Sequence, residues 1–369
     1  MSTELDLRRL AHGDHPACDH PTARRVTALL TRRAAYASGA LPLIPGWVSE
    51  STLAVGEEAH LVRVHRLGDA ERRPYVAKVL RALGPEGEPR DAEEQRWRLL
   101  REVVALRALG EAGCPSIPRV VTFRVGSGTA PRPWYVMPYY AGGAMWREDG
   151  GGQWAEPYSG NIDRVLEIAE ALANTLAFMH EGARPCVHGQ VVASNVLLER
   201  PGGRAVLADF GNARLDGYAL GPDAPDLAGE WPWRPPELGR GDVRAAVPAS
   251  DVFMLGGLIY EALSGGRLLP PASRWPASTV HERPEYSLRR YTDDPRVGAV
   301  SALLGRMLTA RPKHRLSARQ VTRACRAIRR GESVGGHALL RALPGAPPSI
   351  EPGQSPLTSR PISHSRSER

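Results

Sequence analysis

The sequence predicts an α+β fold of two lobes, a small β-rich N-lobe followed by a larger helical C-lobe. Three observations carry that expectation. Short apolar runs crowd residues 47–80 and 117–140, long helical periods fill 162–330, and Gly142-Gly143 separates the two regimes. A crevice between two such lobes is where a ligand is expected.

With 369 residues, a net charge of +8 and 42% hydrophobic content, the chain suits one large domain with terminal extensions. No run approaches the roughly 20 apolar residues of a membrane span. The polar start has no apolar stretch after Arg8-Arg9, so no secretory leader is expected. Cys18, Cys114, Cys186 and Cys325 form no CxxC pair, which fits a reducing, cytoplasmic setting. Lys78 and Lys313 are the only lysines. That bias, with abundant Ala, Gly and Pro, looks like a high-GC bacterial coding sequence. A lysine kept in such a background suggests a task that arginine cannot perform.

Taken in order, residues 1–45 are a polar lead-in. Within it Thr22–Ser38 reads as a short helix with Val26, Leu29 and Leu30 on one face and Gly39 as its stop. The runs WVSESTLAV, HLVRVHRL and RPYVAKVL read as strands, and Leu83–Arg90 as a connector. Asp91–Leu109 has a helical period through Trp97, Leu100, Val104 and Ala108. IPRVVTFRV and PWYVMPYY read as two more strands. Beyond Gly143 the expected elements are helices: amphipathic Ile162–His180, then the apolar, buried Ser250–Leu263 and Val297–Leu308. Residues 331–369 hold no aromatic residue and many Ser, Pro and Gly, the composition of a disordered tail. The expected organisation is an extension 1–45, a domain 46–330 divided into lobes 46–141 and 142–330, and the tail 331–369.

The first chemical signal is Val76-Ala77-Lys78 at a strand end, with Glu102 on the next helix. A lysine that reaches nucleotide phosphates must be aimed beforehand, and a carboxylate on a neighbouring helix does that through an ion pair. The second is Asp209-Phe210-Gly211 after the apolar strand AVLA, where an aspartate at a strand end can hold Mg²⁺ against phosphates. Asn195 lies 14 residues upstream, inside VHGQVVASNVLL (187–198).

This last stretch resembles the catalytic loop H-R-D-x-K-x-x-N of eukaryotic-type (Hanks-type) Ser/Thr protein kinases, with matching spacing to the DFG aspartate. The resemblance extends over about residues 47–330. Trp231–Glu237 (WPWRPPE) looks like the end of an activation segment, and Ser250–Gly256 (SDVFMLG) like the buried helix whose aspartate braces the catalytic loop. Arg315 is similar to the arginine that pairs with the segment-end glutamate, here Glu237. Small-molecule phosphotransferases share the HG…N and Asp elements but lack the PPE and SDVFMLG blocks.

The resemblance implies a bilobal protein-kinase-like fold that binds ATP and Mg²⁺. Lys78 and Glu102 would meet the phosphates, and Asn195 and Asp209 the metal. Met137, Pro138 and Tyr140 would meet the adenine; Pro138 keeps its carbonyl and Tyr140 its N–H. Gly56 is the one glycine left in a loop where the family has three, so phosphate binding should be weaker. The family's catalytic aspartate aligns with Gln190, whose amide cannot accept a proton in a useful pH range. The lysine two residues on aligns with Val192, and the bracing threonine with Glu230. Gly189 replaces the arginine that grips an activation-loop phosphate, and residues 212–236 contain no Ser or Thr, only Tyr218. The implied protein is a bacterial pseudokinase: a signalling scaffold or allosteric regulator that acts on a protein partner. Two alternatives stay open, a slow or atypical phosphoryl or nucleotidyl transferase and a docking module that binds no nucleotide.

Two weaker patterns remain. His12, His15, Cys18 and His20 have spacings that zinc could use, but lack a second ligand pair, and polar termini often collect histidine. Arg319, Arg323, Arg326 and Arg330 share a helix face, either a dock for an acidic partner or nucleic acid or a solvated face. No aromatic residues interleave to stack on bases, so nucleic acid is not the expected partner.

Overall fold

Alternation along Tyr75–Leu80 divides the strand into a face bearing Val76, Lys78 and Leu80 and a face bearing Tyr75, Ala77 and Val79. This division organises the first part of the fold. The computed structural model describes residues 41–42, 44–56, 59–81, 89–124, 132–147, 152–216, 233–239, 246–268 and 283–332. Thr22–Ser38, the His12–His20 cluster, Tyr218, Glu230 and the tail beyond 332 lie outside them. The chain divides into two compact units. One holds the described residues of 41–110 and 118–141; the other holds those of 111–117 and 142–332.

In the first unit the strands are β1 (Trp47–Val55), β2 (Ala59–Arg66), β3 (Tyr75–Leu80), β4 (Thr122–Arg124) and β5 (Trp134–Pro138). They form one antiparallel sheet in the order β1-β2-β3-β5-β4. The run IPRVVTFRV contributes only its last part as strand, although Val121 N–H still bonds the Val136 carbonyl at 2.8 Å. Helix α1 spans Pro89–Glu111 and starts two residues before the expected Asp91. Proline is well placed in a first turn, where its missing N–H would have had no intrahelical partner. Leu99, Val103, Leu106 and Leu109 of α1 are buried at the three- and four-residue spacing of one helical stripe.

The second unit is mainly helical: α2 (Ile162–Glu181), α3 (Pro248–Leu263), α4 (Val297–Met307) and α5 (Ala318–Arg329). Asn161 caps α2, its side chain accepting from Arg164 N–H at 3.1 Å. The buried stripe of α2 includes Val165, Leu166, Ala169, Leu172 and Leu176. Ser317 and Gln320 form a capping box at the start of α5. Short strands also lie beyond Gly143, where the sequence suggested, besides helices, only the strand AVLA before Asp209. β6 (Gly143–Ala144), β10 (Val196–Leu198) and β11 (Ala205–Leu207) join in the order β11-β10-β6. β7 (Trp146–Arg147) pairs β8 (Gln153–Trp154), and β9 (Cys186–Val187) pairs β12 (Arg214–Leu215). Strands of two or three residues have no period to read. No helix among the described residues is long and apolar enough to cross a membrane.

Helix α3 is buried on nearly every side, as its apolar sequence requires. Its Gly257 lies against the Trp233 indole, and a Cβ there would come within 2.1 Å of the ring. The ring cannot retreat freely, because its Nε1–H donates to Glu261 Oε2 at 2.9 Å. Gly257→Ala is therefore expected to destabilise by about 1–3 kcal/mol through overpacking. Urea unfolding followed by tryptophan fluorescence should show it; an unchanged midpoint would refute the tight contact.

The arginine face of α5 meets glutamates of α2. Arg319 pairs with Glu181, while Arg326 and Arg329 both bond Glu170, at 2.8 and 2.9 Å. Burial alone would raise the Glu170 carboxyl, but these two arginines hold it below the usual glutamate range. Part of the stripe read as a dock or a solvated face is thus a helix–helix contact.

Candidate functional site

In the first unit, register explains the geometry. Lys78 of β3 stands opposite Tyr135 of β5, and both project from the face that meets α1. Lys78 Nζ lies 2.7 Å from Glu102 Oε2, and the Tyr135 hydroxyl donates to Glu102 Oε1 at 2.9 Å. Glu102 is 1% exposed, so a carboxylate at that depth needs both partners. The Lys78 side chain keeps 18% exposure and its ammonium can still reach a ligand. Gly56 closes the β1–β2 turn, its N–H donating to the Ala59 carbonyl at 2.9 Å. Met137 stands opposite Val76 and Pro138 opposite Tyr75; Met137 is buried, and Pro138 and Tyr140 are half-buried.

In the second unit, one carboxylate anchors the 187–198 loop. The fully buried Asp251 accepts from His188 N–H at 2.9 Å and Gly189 N–H at 2.8 Å, and lies 2.9 Å from His180 Nε2. His188 Nδ1 accepts the Gln190 N–H at 3.2 Å, which leaves Nε2–H to donate to the Ala208 carbonyl at 3.1 Å. That pattern is the neutral tautomer, and burial lowers the His188 pKa in agreement. Asn195 donates Nδ2 to the Gln190 carbonyl at 3.1 Å, and its own carbonyl accepts Ala208 N–H at 2.8 Å. Asn195 and Asp209 are thereby held as neighbours. Asp209 has φ 62° and ψ 76°, a left-handed conformation rare outside glycine, and its Oδ1 accepts Gly211 N–H at 3.3 Å. The Gln190 side chain is also fixed: its Oε1 accepts from Asn212 Nδ2 at 2.7 Å.

Farther along, Arg315 grips Glu237 with both terminal nitrogens, at 2.6 and 2.7 Å, and Ser250 Oγ donates to Glu237 at 2.7 Å. Burial would raise the Glu237 carboxyl, but these bonds and the guanidinium charge bring it below the ordinary glutamate value. A carboxyl depressed by folding contributes stability above its unfolded pKa, about 4.3, and loses it as pH falls through the folded value. Glu237→Gln should therefore lower stability at pH 7 and flatten its decline below about pH 4.3. Urea titrations stepped from pH 7 to pH 3 would measure this; parallel curves for variant and parent would refute it.

Compared with known proteins, residues 88–325 match the family described as protein tyrosine and serine/threonine kinase. The chain belongs to the protein kinase family. The match includes Glu102, Met137, Pro138, Tyr140, Gln190, Asn195 and Asp209 of this kinase domain, whereas Gly56 and Lys78 precede it. An L-type lectin-domain containing receptor kinase IX.1 of Arabidopsis thaliana is 38% identical over 103 residues, 27% of this chain and 15% of that protein. Phytosulfokine receptor 1 of the same plant is 36% identical over 103 residues, 28% of this chain and 10% of that protein. The serine/threonine-protein kinase PknK of Mycobacterium tuberculosis is 34% identical over 174 residues, 46% of this chain and 14% of that protein. The kinase domain thus aligns with about a seventh or less of the length of these relatives.

The structure joins Lys78 to Glu102 in the first unit, and Gln190, Asn195 and Asp209 in the second. Sequence reasoning missed Tyr135, His180 and Asn212. Tyr135 was within reach of a parity argument, because it alternates with Val136 and shares the Lys78 face. His180 and Asn212 reach their partners across 71 and 22 residues of sequence, and no local pattern marks them.

Proposed function

We propose that this kinase domain binds Mg·ATP and acts as a catalytically impaired pseudokinase, a scaffold or allosteric regulator of a signalling protein partner. One observation carries the reading. At the position that resemblance aligns with the catalytic aspartate, Gln190 has an amide that already accepts from Asn212 and has no carboxylate to take up a proton.

The nucleotide reading is supported by the chemistry of the residues. Asn195 spends its Nδ2 on the Gln190 carbonyl, which leaves its amide oxygen as an acceptor, and Asp209 offers a carboxylate. Oxygen donors of this kind suit Mg²⁺, which prefers one or two protein ligands with phosphate and water completing its shell. The bound metal would neutralise phosphate charge. Lys78, steadied by Glu102, would place a fixed positive charge against the same phosphates.

Saturating Mg·ATP at about 100 times its dissociation constant is expected to stabilise the protein by roughly 2.7 kcal/mol in a thermal-shift experiment. The double variant Lys78→Ala/Asp209→Ala should lose the shift, measured against its own unliganded transition. No shift in the parent at millimolar nucleotide would favour a docking module instead. A second reading, slow phosphoryl or nucleotidyl transfer, is supported by the intact Lys78–Glu102 pair.

A further inference from the structure

Helices α2 and α5 pack side by side, and their facing side chains form a ladder of ion pairs. At one end Glu170 bonds Arg326 and Arg329, and at the other Glu181 bonds Arg319. The middle rung is incomplete. Arg323 lies between Arg319 and Arg326, about one helical turn from each. On α2 the position four residues after Glu170 and seven before Glu181 is held by Asn174, which carries no charge.

Asn174 and Arg323 line one groove of about 240 Å³, with Arg319 and Arg326 beside them. Among the described residues, no carboxylate lines this groove, and Arg323 makes no hydrogen bond or ion pair. Arg323 is exposed, and although Glu181 feels its charge, that carboxylate is bonded to Arg319. Half-buried Phe178 and buried Ala177 supply an apolar wall. The groove is smaller than a pocket that encloses a drug-sized molecule, and it suits an inserted side chain.

We infer that the groove docks an acidic segment of a partner protein, with one carboxylate seated against Arg323 as the ladder's middle rung. The guanidinium fork matches a carboxylate through two parallel N–H···O bonds, and the aliphatic part of the incoming side chain packs on Phe178. Glu170 and Glu181 bracket the groove with negative charge. A nucleic-acid backbone needs an unbroken positive track, so this bracketing favours an isolated acid over a polyanion. The dock lies within the second unit and uses neither Lys78 nor Asp209, so it is independent of nucleotide binding.

Random octapeptides displayed on phage and selected on the full chain without nucleotide, at about 50 mM salt, provide the test. The selected peptides are expected to be enriched in Asp and Glu. A fluorescein-labelled copy of the best of them should bind by anisotropy and weaken severalfold at about 500 mM salt. Asn174→Glu supplies the missing rung from within. It should keep or raise the melting temperature and cut peptide affinity about tenfold or more, the scale of a lost close charge pair at an interface. Arg323→Ala should weaken the peptide to a similar degree, and both variants should keep the parent's response to Mg·ATP. Selected peptides without acidic enrichment would overturn the inference, as would equal binding by the parent and Asn174→Glu. A single-stranded oligonucleotide that displaces the peptide, binds more tightly and is itself lost in Arg323→Ala would overturn it too, because nucleic acid would then be the occupant.

Discussion

Replacing Asp251 with alanine is expected to cost about 3–5 kcal/mol of stability, the range for removing one partner of a buried charged hydrogen-bonding group. The change removes the carboxylate that accepts from the His188 and Gly189 N–H groups, both of which are buried. Donors left dry carry a desolvation penalty beyond the lost bonds. For a unit of this size the melting temperature should fall by about 6–20 °C. Asp251→Asn keeps the shape and one carbonyl acceptor, so its loss should be clearly smaller. Because the two donors immediately precede Gln190, exchange of the 188–195 amides should rise in Asp251→Ala even below the melting transition. A loss under about 1 kcal/mol would show that another group or water takes over the bracing role.

Phosphotransfer by the purified protein, to itself or to a generic acceptor, is expected at or near background. Loss of a general base typically costs 10²- to 10⁴-fold, which would take kinase turnover of roughly 1–100 s⁻¹ down to about 10⁻⁴–1 s⁻¹. Gln190→Asp alone should restore little. Val192 and Glu230, which the resemblance aligns with the family's lysine and threonine, would remain, and groups that act as a unit are not additive. Asn212 would still aim its amide at the site, and the shorter aspartate would have to give up either that bond or its place before a substrate hydroxyl. Gln190→Asp, Val192→Lys and Glu230→Thr together rebuild the constellation, with the single Gly56 still limiting the rate. Incorporation of label from γ-labelled ATP measures each variant, and Asp209→Ala excludes a contaminating kinase. Ordinary kinase rates in the unmodified protein, abolished by Asp209→Ala, would sink the pseudokinase reading.

The sequence made some of these features readable and hid others, for physical reasons. Lys78 and Glu102 stood out because a scarce lysine sits in an apolar strand and the acid follows on a helix. Arg315 and Glu237 were readable as a pair only through resemblance, since 78 residues separate them. The long helices declared themselves by period. The two-residue strands β6 to β9 did not, because their pairing depends on which distant strand arrives beside them. The α5 arginines were correctly grouped on one face, yet that grouping could not reveal Glu170 and Glu181 waiting on α2. Gln190 was legible as a departure; its capture by Asn212 depends on how the two loops meet.

Gly189 ties two loops of the site together. Its φ of +81° is one that residues with a Cβ rarely adopt, and a Cβ built there lies 2.9 Å from the Asn212 carbonyl oxygen. The backbone cannot swing away without breaking the bond from its N–H to Asp251. Any side chain at 189 therefore requires the Asn212 segment to shift or the Asp251 brace to loosen. The position works as a keystone: a single substitution there disturbs the loop before Gln190 and the segment after Asp209 together.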